Sequence, residues 1–219
     1  MHGEGMMGKL RSDFLKKLED APFIAILRGV QHGEVVEIAE ALVSAGISII
    51  EITVDSPDPY LSMEKLALRI SEKVTICAGL VLTADQAKDA ANAGSRVIFS
   101  PNFNASVVEA SKSKKALSVP GIYTTTEAVA AIDAGADALR IFPADSFSTK
   151  GLHALRKVLP EETIYLPTGG ITAHKVKSWM AAGAVGFGLG TSLYTPGTTP
   201  AEVHDRARVF TQILVCDDA

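Results

Sequence analysis

The chain has 219 residues, 47% hydrophobic and 21% charged, proportions that suit a globular domain of enzyme size. Its formal charge of −4 gives no electrostatic reason to expect nucleic acid or an anionic membrane surface as a partner. No apolar run reaches the roughly 18 residues needed to span a bilayer, and the only two cysteines, Cys77 and Cys216, with no secretory leader ahead of them, point to reduced thiols in the cytoplasm.

Residues 1–20 read as an N-terminal extension and first helix, ahead of a single domain over 21–219. The Gly- and Met-rich opening, 1–8, has no apolar core of signal-peptide length and is expected as a disordered or alternate start. The first strand-like run, 22–27, ends in Arg28-Gly29, and a helical stretch at 33–45 stops at Ala45-Gly46. The next run, 47–54, alternates: Ile49, Glu51, Thr53 and Asp55 share one face, Ile50, Ile52 and Val54 the other. If helices cover the apolar face, Glu51 and Asp55 turn inward.

Runs at 75–78 and 97–100 follow, separated by a helix over 83–93 that starts on Thr83, a favoured N-cap, with Asp85 and Gln86 behind it. The fourth run ends in Ser100-Pro101-Asn102 and the fifth, 117–122, contains Pro120-Gly121; either tip can line a pocket or simply turn the chain. A helix over 124–134 begins at Thr124 with Glu127 three residues on. Runs at 138–142, 163–166 and 185–190 complete the series, with a helix over 172–182 between the last two. Four of the eight runs are preceded by Ala-Gly, at 45, 93, 134 and 182. Eight strands alternating with helices predict a (β/α)8 TIM barrel or a doubly wound sheet. Even spacing, the count of eight and the lack of a Gly-x-Gly-x-x-Gly favour the barrel, whose catalytic groups lie at the C-terminal strand ends.

The sixth run carries an anomaly. Leu139 and Ile141 share one face, and Ala138, Arg140 and Phe142 the other, which puts a guanidinium into the space the sheet encloses. A buried arginine cannot discharge itself by losing a proton, so it needs an anion, either a carboxylate such as Glu51 or a ligand. The last two strands end in glycine-rich loops, Thr168-Gly169-Gly170 and Gly188-Leu189-Gly190-Thr191, where barrels often seat phosphate on backbone N–H groups. Arg28 would share that mouth and contact an anion. His2, His32, His153, His174 and His204 fall outside the strand tips and lack metal-ligand spacing.

Taken together, Ile24-Ala25-Ile26-Leu27-Arg28-Gly29, Glu51-Ile52 with Ser56-Pro57, Ala78-Gly79 with Val81-Leu82, Ser100-Pro101-Asn102, Ile141-Phe142-Pro143, Thr168-Gly169-Gly170 and Gly188-Leu189-Gly190 resemble the 2-keto-3-deoxy-6-phosphogluconate aldolases, most closely their 6-phosphogalactonate branch. The resemblance implies a class I lyase on a (β/α)8 barrel, generally trimeric. Such enzymes cleave a phosphorylated 2-keto-3-deoxy sugar acid to pyruvate and glyceraldehyde 3-phosphate. A sixth-strand lysine forms a Schiff base, and a second-strand glutamate shuttles protons. By motif, the glutamate falls on Glu51, the phosphate loops on Gly169, Gly170, Gly188, Gly190 and Thr191, and the first-strand arginine on Arg28. Glu51 and Arg140 are then the expected catalytic pair, with Arg28, Asp55, Pro101 and Phe142 as substrate contacts.

The lysine position is Arg140, and a delocalised guanidinium cannot serve as an imine-forming amine. Cys77-Ala78-Gly79-Leu80 replaces the family's usual Gly-Ala-Gly-Thr, and Asp55 stands where relatives carry arginine or asparagine. All three departures fall on the pyruvate half of the site. Lys150 is the nearest lysine in sequence to Arg140.

Function then divides three ways. One reading is aldolase-type cleavage without a cofactor, or with a divalent metal held by Glu51 and Asp55. A second is sugar-phosphate isomerisation or epimerisation with Glu51 as base. The third is a non-catalytic protein that binds phosphorylated metabolites. The expected partner in each case is a small phosphorylated molecule.

Overall fold

The computed structural model describes residues 2–214; Cys216 lies outside them. In chain order the elements are α1 (His2–Asp20), β1 (Phe23–Leu27), α2 (Val35–Ser44), β2 (Ile49–Thr53), α3 (Pro59–Ile70), β3 (Thr75–Gly79), α4 (Ala84–Asn92), β4 (Val97–Phe99), α5 (Ala105–Ser113), β5 (Leu117–Val119), β6 (Gly121–Ile122), α6 (Thr125–Asp133), β7 (Leu139–Ile141), α7 (Thr149–Arg156), β8 (Tyr165–Pro167), α8 (Ala173–Ala182), β9 (Phe187–Leu189) and α9 (Pro200–Thr211). The expected alternation of strands and helices is present, and every recorded strand pair is parallel.

The strands form a curled parallel arrangement in two pieces, β5-β4-β3-β2-β1-β9 and β6-β7-β8. The expected fifth strand, 117–122, is split at Pro120 into β5 and β6. Proline has no N–H for the ladder, but its carbonyl still accepts from the Arg140 N–H at 2.9 Å. On the other side the pieces meet through a Thr168–Gly188 bridge and a 3.0 Å bond from the Val185 N–H to the Tyr165 carbonyl.

Two apolar clusters confirm the facing deduced from alternation. Leu139, Ile141, Ile50 and Ile52 pack with residues of the surrounding helices. Ile24, Ile49, Cys77, Val97, Phe99, Leu117, Ala138 and Leu166 form a separate inner cluster. Helix α1 closes onto this inner cluster with Phe14 and Leu18, joined by Met7, Leu10 and Leu15. The expectation of a disordered opening is therefore corrected, since residues 2–8 belong to α1. Leu10, Phe14 and Leu18 lie four residues apart and form an apolar stripe that drives docking. Among the described residues, no helix is long and apolar enough to cross a membrane.

Candidate active site

Strand alternation brings Glu51 of β2 and Arg140 of β7 together across the inner space. Arg140 Nη1 donates to Glu51 Oε1 at 3.0 Å, and Nη2 donates to Oε2. The residues are 4% and 1% exposed, so this fork-to-fork pair is sealed from solvent. The guanidinium carbon also stands 4.1 Å from the Phe99 ring centroid, a cation–π contact, while Nε has no hydrogen-bond partner. Of the two anions that could satisfy Arg140, the structure therefore supplies the carboxylate.

Gly79, at the end of β3, makes room for this pair. A Cβ there would collide with the Glu51 carboxylate, so the only side chain compatible with the geometry is none. Cys77, two residues earlier on the same inward face, is fully buried, and burial together with the nearby Glu51 carboxylate pushes its thiol well above its usual range.

Nearer the strand ends lies a cavity of about 740 Å³. Its walls include Arg28, Asp55, Phe142, Gly169, Gly170, Gly188, Gly190 and Thr191. Glu51 and Arg140 are not part of its surface; they lie deeper along their strands. Pro101, an expected contact, does not line the cavity: its carbonyl is packed against Gly121, where a side chain would clash with it. Lys150 sits exposed in the first turn of α7, and no lysine is found among the described residues lining the cavity.

The glycine loops face each other across the join of β8 and β9. Gly169 and Gly170 have φ of +95° and +71°, a left-handed pair that turns the chain sharply after β8 and is costly for other residues. A Cβ at Gly188 would meet Thr168 Cγ2 at 2.7 Å, so bare backbone is what lets the two loops approach. Thr172, the N-cap of α8, also lines the cavity, and its hydroxyl pairs with the His174 ring rather than capping the helix. Backbone N–H groups in such a loop and helix start suit an anionic ligand.

Arg28 was expected to meet an anion, and the anion present is Asp55. Its Nε and Nη2 both donate to Asp55 Oδ2, at 2.8 and 2.6 Å. Partial burial alone would raise the Asp55 carboxyl, but the Thr53 hydroxyl and the Arg28 guanidinium outweigh it and hold the group below the usual carboxylate range. Ser56 fixes the two strand ends beside this pair: its Oγ accepts from the Gly29 N–H at 2.9 Å and lies 3.0 Å from Thr53 Oγ1. Glu51 and Asp55 are thus each committed to an arginine.

Tyr194, Thr195 and Pro196 complete the wall and were not singled out from sequence. Tyr194 donates to Glu34 Oε1 at 2.7 Å, and burial with that carboxylate pushes its phenol upward. The Pro196-Gly197 turn after the last glycine loop was the available signal that the chain bends back over Gly29.

A protein of Rhizobium meliloti (strain 1021) named probable 2-dehydro-3-deoxy-6-phosphogalactonate aldolase is 38% identical over 188 residues, spanning 86% of this chain and 89% of its own. The Escherichia coli (strain K12) 2-dehydro-3-deoxy-6-phosphogalactonate aldolase is 34% identical over 189 residues, spanning 86% and 92%. A solved structure described as native KDPGal superposes with a TM-score of 0.86 at 34% identity, covering 89% of this chain and 94% of that one. The family model for KDPG and KHG aldolase matches residues 15–210, and so takes in both glycine loops and the strands that bear Glu51 and Arg140. By sequence and by fold, this chain belongs to the KDPG and KHG aldolase family.

Proposed function

We propose that the chain is an aldehyde-lyase acting on a phosphorylated 2-keto-3-deoxy sugar acid, without an imine at position 140. The observation that carries this reading is the cavity itself: glycine loops of the kind that can seat a phosphate line it, and the buried Glu51–Arg140 pair lies on the strands that lead into it. In this reading the curled sheet is a closed (β/α)8 barrel forming one domain, with β5 and β6 acting as a single interrupted strand. Gly169, Gly170, Gly190 and Thr191 seat the phosphate on backbone N–H groups. Arg140 keeps its charge at neutral pH and a delocalised guanidinium is not a nucleophile, so no imine forms at that position.

The reaction is proposed to need no cofactor: Glu51 is sealed against Arg140, which leaves Asp55 as the one carboxylate among the described residues lining the cavity. Isomerase chemistry with Glu51 as base is not favoured, because the relatives are named as aldolases. A trimer in the cytoplasm is the expected working form.

The deciding test supplies the 2-keto-3-deoxy acids of 6-phosphogluconate and 6-phosphogalactonate and measures pyruvate release with a coupled dehydrogenase. Release that persists in a chelator is expected, together with no mass adduct after borohydride treatment with pyruvate. A borohydride-trapped adduct would overturn the non-imine route. Binding of both acids without any pyruvate would replace the lyase reading with a binding protein.

A further inference from the structure

Within the proposed site, a phosphorylated keto acid has two anionic ends, and the glycine loops provide for one of them. The other end, a carboxylate, needs a cation. Among the described residues lining the cavity, Arg28 is the one cationic side chain. Arg140 is unavailable: its pair with Glu51 is sealed at 4% and 1% exposure, and drawing it away would strand a buried carboxylate. The Arg28 pair is of another kind. Its side chains are 68% and 35% exposed, and Asp55 takes both bonds through one oxygen, Oδ2. Exposed pairs of this sort are held weakly, so an incoming anion can exchange with Asp55 at little cost.

We infer that Asp55 is an internal competitor for the ligand's carboxylate, occupying Arg28 in the empty site and setting both affinity and selectivity by how readily it yields. Its placement is built in. Ser56 accepts the Gly29 N–H and meets Thr53, which fixes the backbone on either side of Asp55 against the end of β1. The carboxylate is also held ionised by its neighbours, so the competitor is present throughout the neutral range. A ligand with phosphate but no carboxylate has no need to displace it. The inference rests on the reading of the glycine loops as a phosphate seat.

Two probes separate the ends: 3-phosphoglycerate carries phosphate and carboxylate, while glycerol 3-phosphate carries phosphate alone. In calorimetric titrations, Asp55→Asn is expected to tighten 3-phosphoglycerate about tenfold, the scale of one charged hydrogen bond freed from competition. Glycerol 3-phosphate should change by less than about threefold, the residue of simple charge removal at an exposed site. Arg28→Ala added to Asp55→Asn should erase the gain. Asp55→Ala, which adds no amide that could bond the ligand, must repeat the result. Equal tightening of both probes, or no change in either, overturns the competitor role while leaving the phosphate seat intact. If neither probe binds the parent or the variants, the phosphate seat fails, and the inference with it.

Discussion

Arg140 and Glu51 are 89 positions apart in sequence and meet as a sealed pair, so their energetics differ in kind from those of a surface salt bridge. Removing one member leaves the other buried and uncompensated. Glu51→Ala should therefore cost about 3–5 kcal/mol in urea unfolding, while Glu51→Met combined with Arg140→Met should recover most of that loss. Asp55→Ala, at the exposed pair, should cost less than about 1 kcal/mol. Equal costs at the two sites would show that burial does not govern the inner pair. Much of this was legible in the sequence, because a period of two fixes which side chains face inward. The distance between two inward groups on remote strands was not legible, nor was the need for a bare backbone at Gly79. Pro101 shows the same limit: its position at a strand tip was correct, but its packing against Gly121 depends on contacts that no local pattern encodes.

At the scale of single elements, capping chemistry agreed closely between sequence and structure. Thr83 with Gln86 and Thr124 with Glu127 form reciprocal capping boxes at the starts of α4 and α6. Glu127 accepts, through one oxygen, the N–H groups of Tyr123 and Thr124 and the Thr124 hydroxyl, at 2.8 to 2.9 Å. The Tyr123 N–H is the largest of the influences that hold its carboxyl below the usual range. A depressed folded-state value stabilises the fold above the unfolded carboxyl value, about 4.3, and that contribution fades as pH falls through the folded value. Glu127→Gln should then lower thermal stability slightly at pH 7, by under about 1 kcal/mol given its exposure, and the difference should shrink as pH falls below the unfolded carboxyl value, about 4.3. A difference that grows on acidification would contradict the assignment. Strand limits were less legible. The break between β5 and β6 needed attention to proline's missing donor within an otherwise strand-like run.

For the molecule as a whole, the alternation of eight runs with helices was readable, while the role of α1 was not. Its opening residues are rich in glycine, a poor helix former, and the reason it is helical lies in the inner cluster that Phe14 and Leu18 cover. The two sheet pieces meet between β8 and β9 through few hydrogen bonds, a Thr168–Gly188 bridge and the Val185–Tyr165 contact. Sparse pairing of this kind is where local opening is cheapest. Saturating glycerol 3-phosphate, at about 100 times its dissociation constant, should add about 2.7 kcal/mol of stability. It should also slow amide exchange at Val185 and Gly188 more than in β2 and β3. Uniform slowing everywhere would remove any special part for this join. The glycine loops sit on opposite lips of that join, Gly169 and Gly170 after β8, Gly190 and Thr191 after β9. A phosphate held by both would therefore act as a clasp: the cargo itself would fasten the weakest edge of its container, and the empty protein would be the looser one.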